Sequence, residues 1–221
     1  MGPNSLKILE ELMQGTQIEK GLRVLDLGCG KGLTSIFLAK EYDVQVFAVD
    51  LWISPTDNYE RFKALGLEKN IIPLCSDASS LPFADDYFDA VISVDAYHYF
   101  GNNDSYFDNH LSGVLKQDAL VALAIPGMQY EVHDNVPSEM NPYWSEDALA
   151  TWHSVGWWKD VFRKSKYFEI LKIEEMSCFG EVWSDWLGTD NEYAVEDREM
   201  IKMDDGRYMN LISIIGKNRK K

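Results

Sequence analysis

The chain has 221 residues, of which 46% are hydrophobic, and its net charge is −15. This length can bury one substantial core, so we expect a single domain over residues 1–221, and the acidic balance argues against a nucleic-acid substrate, which requires a cationic face. No stretch approaches the roughly 18 apolar residues of a membrane span and residues 1–14 lack a secretory pattern, so we expect a cytoplasmic protein with no stable membrane association.

Strands and helices alternate in the first part of the chain. An amphipathic helix over residues 5–13, capped by Ser5, opens it. Five strands are predicted after it, with Pro126 and Gly127 ending the fifth, at 24–27, 44–49, 71–75, 89–94 and 119–125. Helices are predicted between them at 33–42, 55–65 and 105–115. This alternation is typical of an α/β protein with a parallel sheet and helices on both faces.

The pattern changes after residue 126. Residues 127–152 lack a clear period, and residues 179–206 form a long acidic segment between two predicted strands at 168–178 and 208–216. A helix is predicted over residues 153–167. Because long structureless loops are uncommon unless functional, we interpret 127–152 and 179–206 as substrate-side insertions, the second one bearing a small helix or lid.

The most informative motif is V-L-D-L-G-C-G-K-G, which ends the first strand and begins the next helix. Glycines at 28, 30 and 32 permit a sharp turn, and the helix that follows offers free N–H groups to a ligand. The nicotinamide and flavin fingerprint G-x-G-x-x-G has its third glycine one residue later, which disfavours a dinucleotide-dependent oxidoreductase. The pattern D-x-G-x-G-x-G instead resembles the first motif of the class I S-adenosylmethionine-dependent methyltransferases.

Three further motifs, at the ends of the second, third and fourth predicted strands, carry the resemblance. An acid at the end of the second strand, about 20 residues past the turn, suits a ribose diol. An acid and a small residue follow the third strand, as in the adenine-binding station of the family, and D-A-Y-H-Y-F follows the fourth strand. The resemblance implies a Rossmann-like, seven-stranded, mostly parallel sheet with the last strand antiparallel. It also implies that S-adenosylmethionine is bound by Asp26, Gly28, Gly30, Gly32, Asp50, Leu51, Trp52, Asp77, Ala78 and Asp95.

Methyl transfer from a sulfonium is a direct in-line displacement, which depends mainly on positioning and needs a base only if the acceptor arrives protonated. His98 is the first candidate for a base or an acceptor-orienting residue, because it follows the fourth strand and imidazole titrates near neutrality. Asp95 is a candidate for holding the amino group of the cofactor or orienting His98, and Tyr97 for lining the acceptor pocket. Each residue also has a structural alternative: a packed histidine, a turn cap and a core tyrosine.

The roles of several other residues remain open. His133 and His153 are weaker candidates for substrate contact, and six of the seven tryptophans fall between Trp144 and Trp186, as an aromatic cage or as ordinary core. The three cysteines are distant from one another, so we expect no metal site.

The function expected is methyl transfer to a small-molecule acceptor. The alternatives are a cofactor-binding regulator without catalysis and a cyclopropane-synthase-like enzyme acting on lipid. The sequence leaves the oligomeric state open.

Overall fold

A computed structural model describes residues 2–221 and places seven strands in one sheet, in the order β3-β2-β1-β4-β5-β7-β6. The first five strands run parallel to one another, and β7 runs antiparallel to both β5 and β6. This confirms the predicted fold class. The strands are β1 (Arg23–Leu27), β2 (Gln45–Asp50), β3 (Ile71–Cys75), β4 (Phe88–Val94), β5 (Leu115–Met128), β6 (Phe168–Glu175) and β7 (Met209–Asn218).

Alternate strand residues point to opposite sides of the sheet, so both faces present apolar side chains. Helices cover both of these faces. Val24 packs in one core with Leu38 and Phe62, whereas Leu25 packs in the other core with Trp158. The buried strands are therefore mainly apolar on both faces, with a few polar exceptions such as Asp26 and Ser93, as expected of a parallel sheet covered on both faces. The helices are α1 (Ser5–Leu12), α2 (Leu33–Tyr42), α3 (Pro55–Ala64), α4 (Glu146–Thr151), α5 (Val155–Lys164), α6 (Phe179–Leu187) and α7 (Glu192–Asp204). None of these helices in the described part of the chain is long and apolar enough to cross a membrane.

Two predicted boundaries in the first half were wrong. The N-cap of α1 is Asn4, whose side chain accepts hydrogen bonds from the amides of Leu6 and Lys7, and Ser5 is the first helical residue. Strand β5 does not end before Pro126: it continues to Met128 in antiparallel register with β7. The β4 pairing ends at Ala124, so the proline lies beyond the doubly paired part of the strand, where proline is better tolerated.

Two further segments differ from the prediction in length. The helix expected over residues 105–115 is only a π-helical turn, Phe107–Leu111, and β5 begins at Leu115. Strand β6 ends at Glu175 rather than at residue 178. The helical content predicted within residues 179–206 is confirmed, since α6 and α7 occupy most of that segment.

Candidate functional site

A cavity of about 830 Å³ lies at the carboxyl ends of β1, β2 and β4. In open α/β sheets this edge is where ligands bind. The turn after β1 forms one wall, the ends of β2 and β4 form the floor, and the N-terminal segment and α6 form the opposite wall. Eight of the ten predicted cofactor residues line it: Gly28, Gly30, Asp50, Leu51, Trp52, Asp77, Ala78 and Asp95.

The three motif glycines have left-handed backbones, but for different reasons. A Cβ on Gly28 would lie 2.2 Å from the Cβ of Ala96, and one on Gly32 would lie 2.5 Å from the ring of Phe62, so these two glycines allow close packing. Gly32 does not line the cavity, so its part in cofactor binding stays a prediction that the lining does not support. A Cβ on Gly30 would meet nothing within 4 Å and would occupy cavity space instead. Gly30 therefore leaves room for a ligand.

The carboxylate of Asp50 ties the glycine turn to the end of β2. Its Oδ2 accepts a hydrogen bond from the Gly30 amide at 2.9 Å, and its Oδ1 accepts from the amides of Trp52 at 2.8 Å and Ile53 at 2.9 Å. A carboxylate has about four lone-pair sites, so an acceptor position remains toward the cavity. Asp50 thus both shapes the turn and offers an oxygen to a hydroxyl donor.

The N-terminus of α2 faces the cavity without a side-chain cap, because its N-cap is Gly32. Leu33 and Thr34, the first residues of the helix, line the cavity. Free amides at this position and the helix dipole favour an anionic group.

Asp26 does not line the cavity but supports this helix from behind, so any role it has in cofactor binding would be indirect. It is 1% exposed, and its Oδ2 accepts hydrogen bonds from the hydroxyls of Thr34 and Ser35. Burial raises the pKa of Asp26 to about 6, against the opposing effect of those two hydroxyls. Its Oδ1 is buried and has no hydrogen-bond partner. Asp26 therefore acts as a positioning residue for the start of α2.

An aromatic and acidic rim lies where the resemblance puts adenine. Trp52 is 74% exposed and meets the ring of Tyr99 edge to face at 5.6 Å between centroids. Asp77 Oδ1 accepts a hydrogen bond from the Ser79 amide at 2.7 Å, and the backbone carbonyl of Ala78 accepts one from Tyr106. The loop after β3 is thereby fixed against the wall of the cavity.

Of the three catalytic candidates, only Asp95 lines the cavity. Its backbone is left-handed, with φ at 56°, and burial raises the pKa of its carboxyl to about 6. Tyr97 and His98 are each 1% exposed and lie outside the lining, which favours their structural alternatives, a core tyrosine and a packed histidine, while their catalytic roles stay untested predictions. Tyr97 stacks on Phe162 in the core. Burial lowers the pKa of His98 to about 3, which makes its imidazole a weak base at neutral pH.

The pairing of the N-terminal segment with α6 was not predicted from the sequence. Asn4 Nδ2 donates to Asp185 at 2.8 Å, and Lys7 forms ion pairs with Asp185 at 2.9 Å and with Glu181. The Glu11 carboxylate accepts hydrogen bonds from the amides of residues 177 and 178, just before α6. These contacts join elements that lie more than 160 residues apart, which no local pattern reveals.

The tryptophans divide between core and cavity. Trp144, Trp158 and Trp183 are buried, whereas Trp186 lines the cavity together with Asp185 and Thr189. Segment 179–206 thus contributes to the wall, whereas, within the described chain, no residue of 127–152 does. The substrate-side role of either segment stays a prediction.

Comparisons with known proteins agree with this geometry. Residues 24–118 match the family model of a methyltransferase domain. Phosphoethanolamine N-methyltransferase 2 of Haemonchus contortus, solved with S-adenosyl-L-methionine, has the same fold, with a TM-score of 0.80 at 18% identity over 99% of this chain and 54% of that one. Residues 24–118 thus match the methyltransferase-domain family, and the fold is that of the class I S-adenosylmethionine-dependent methyltransferases.

Curated relatives of this chain match only in part. Methyltransferase GfsG of Streptomyces halstedii is 26% identical over 119 residues, which are 53% of this chain and 42% of that protein. The cyclopropane-fatty-acyl-phospholipid synthase of Escherichia coli K12 is 33% identical over 101 residues, which are 45% of this chain and 25% of that protein. The matched part of the chain spans less than half the length of these curated relatives.

Proposed function

We propose that this chain transfers the methyl group of S-adenosylmethionine to a small-molecule acceptor by direct in-line displacement. The observation that carries the proposal is the pairing of Gly30 with Asp50 at one cavity wall. The glycine leaves open space where a side chain would project, and the carboxylate bonded to its amide retains an acceptor site. A nucleoside needs both features, since its ribose must lie close to the backbone and find an acceptor for its hydroxyls.

The residues of the cavity fit the cofactor in three parts. Asp50 would accept from the ribose hydroxyls, and the loop with Asp77 and Ala78 would contact the adenine. The uncapped amides at the start of α2 would receive the carboxylate of the methionine part. Asp95 would hold its amino group. When bound, S-adenosylmethionine supplies an electrophilic methyl group on a sulfonium.

The protein contributes mainly positioning and exclusion of water. The cavity volume of about 830 Å³ is near the upper end of the range for small-ligand sites, so a cofactor and a small acceptor have room together. The contacts of Asn4 and Lys7 with α6 close one side of the cavity. As an alternative to holding the amino group of the cofactor, Asp95 would receive a proton from the acceptor, since its raised pKa of about 6 lies near neutrality.

The charges of the lining favour cationic or neutral acceptors over anionic ones. Four carboxylates line the cavity, at Asp50, Asp77, Asp95 and Asp185, whereas Lys31 is the one basic residue among the described lining residues. A cavity lined by one sign of charge raises the local concentration of ligands of the opposite sign. Small amines are therefore the first acceptor class to examine.

A second candidate is cyclopropane-synthase-like chemistry on a lipid alkene, favoured by the 33% identity to the Escherichia coli enzyme over 101 residues. The third is cofactor binding without turnover.

One assay separates these three candidates. Purified protein is incubated with methyl-labelled S-adenosylmethionine and separate pools of small amines, phenols, thiols and unsaturated phospholipid vesicles, with Asp50→Ala as the matched background. Label in a small-molecule pool supports the proposal, and label in lipid alone supports the second candidate. Binding of S-adenosylhomocysteine with no transfer to any pool favours the regulator.

A further inference from the structure

Three side chains outside the cavity bring their ligand atoms together: Glu131, His133 and His153. One ligand atom from each lies within 4.8 Å of the other two. Oε2 of Glu131 lies 2.8 Å from Nδ1 of His133 and 3.1 Å from Nδ1 of His153. The two imidazole rings stack with their centroids 4.5 Å apart.

Both histidines direct Nδ1 toward the same atom, Oε2 of Glu131, and their other contacts constrain the hydrogens on the rings. Nε2 of His133 lies 2.7 Å from the Leu149 carbonyl, which can only accept, so Nε2 carries a hydrogen. In the neutral ring, Nδ1 then presents a lone pair to the carboxylate oxygen of Glu131, and two acceptors face each other. A cation between them removes this conflict.

The remaining members of the cluster are held in place by their neighbours. Oε1 of Glu131 accepts a hydrogen bond from the Ser154 amide at 2.6 Å, which fixes the carboxylate so that Oε2 faces Nδ1 of both histidines. The His153 ring stacks on Trp157 at 3.7 Å with an interplanar angle of 7°. Outer contacts of this kind fix the orientation of metal ligands.

We propose that Glu131, His133 and His153 bind one divalent transition-metal ion, with Zn²⁺ as the best match. Two imidazole nitrogens and one carboxylate are a zinc ligand set, with a fourth position open to water. Ligand atoms around a tetrahedral zinc ion lie about 3.3 Å apart, close to the two separations from Glu131 Oε2. This inference does not depend on the methyl-transfer proposal.

The ion would fasten the irregular segment 129–152 to the start of α5. Glu131 and His133 lie at the beginning of that segment, and His153 lies directly after it, next to the α5 N-cap Ser154. None of the three residues lines the cavity, so the role we assign to the ion is structural. A ligand that binds only the folded chain also stabilises it.

The first test is calorimetric titration of Zn²⁺ into the full chain, produced without a polyhistidine tag and freed of metal with a chelator. The exposed thiol of Cys75 is removed beforehand by Cys75→Ser, so that it cannot bind zinc. One Zn²⁺ per chain, with a rise in Tm, is the expected result. No stoichiometric binding would overturn the proposal and would leave the cluster as an ordinary polar contact among three side chains.

Variants then locate the site. His133→Ala, His153→Ala and Glu131→Gln should each raise the Kd for Zn²⁺ by more than about tenfold, since even outer partners of metal ligands contribute about 10–100-fold. His110→Ala is the matched control, because His110 also bonds a carbonyl, that of Ser79, but lies outside the cluster. Binding that survives in all three variants would overturn the assignment.

A spectroscopic measurement avoids any loss of folding in the variants. Titration of the Cys75→Ser chain with Co²⁺ should give the visible absorption of a four-coordinate nitrogen and oxygen site, which Zn²⁺ should then displace. A spectrum like that of hydrated Co²⁺ would contradict the proposal.

Discussion

Replacing Gly30 with alanine tests whether a ligand lies against the glycine turn. Gly30 has φ at 53°, and an added Cβ would meet no protein atom within 4 Å. The methyl group should therefore reduce the free energy of unfolding only by the strain of a left-handed backbone, roughly 1–2 kcal/mol. In the complex, however, it would compete with the cofactor for space. Overpacking of this size costs about 1–3 kcal/mol, which corresponds to an increase in Kd of about 5–150-fold.

Gly15→Ala is the matched control for backbone strain. Gly15 has φ at 77°, has no neighbour within 4 Å of an added Cβ, and does not line the cavity. Denaturant unfolding should show similar losses of stability in both variants, whereas calorimetric titration with S-adenosylhomocysteine should show weaker binding for Gly30→Ala alone. Wild-type affinity in Gly30→Ala would refute the reasoning, and so would equal weakening in both variants.

Three further predictions concern charged or titratable groups. Asp50→Ala should weaken cofactor binding by more than about tenfold and destabilise the fold by about 1–3 kcal/mol, since it leaves backbone amides without their acceptor; unchanged affinity in calorimetry would contradict the placement of the ribose. His98→Gln should keep the cofactor affinity and a methyl-transfer rate close to wild type, because the ring lies outside the cavity lining; a large loss of rate at unchanged affinity would restore His98 as a catalytic candidate. Asp26 has a folded pKa raised to about 6 from 3.8, so the unfolded chain ionises first and stability falls as pH rises between those values. In unfolding experiments across this pH range, the free energy of unfolding of Asp26→Asn should lack about 3 kcal/mol of the decrease seen in the wild type. Parallel curves of unfolding free energy against pH for the wild type and the variant would argue against the raised pKa.

The sequence predicted those features that depend on neighbouring residues. Strand β3 was predicted with its observed ends, and the fold class followed from the alternation of strands and helices. Gly30 and Asp50 were both placed at the cavity wall, because a glycine turn and a strand-end acid have fixed positions in a parallel sheet.

Features that depend on distant residues could not be predicted in this way. The end of β5 is set by its pairing with β7, about 85 residues later in the register, so Pro126 and Gly127 did not stop it. The wall formed by Asn4, Lys7 and α6 depends on contacts across almost the whole chain.

The sequence also did not reveal the direction in which the side chains after β4 point. The left-handed backbone of Asp95 and the short 3₁₀ turn Tyr97–Tyr99 turn Tyr97 and His98 into the core while Asp95 and Tyr99 line the cavity. The cluster of Glu131, His133 and His153 was likewise missed, because its third member lies 20 residues after the second and only the fold brings them together.

The most direct test of the central claim is calorimetric titration of the wild-type chain with S-adenosylmethionine, S-adenosylhomocysteine and NAD in parallel. The geometry of the glycine turn predicts saturable one-to-one binding of the first two compounds, weakened in Gly30→Ala, and no signal with NAD. Binding of NAD alone, or of neither sulfur compound, would contradict the assignment of this cavity to S-adenosylmethionine.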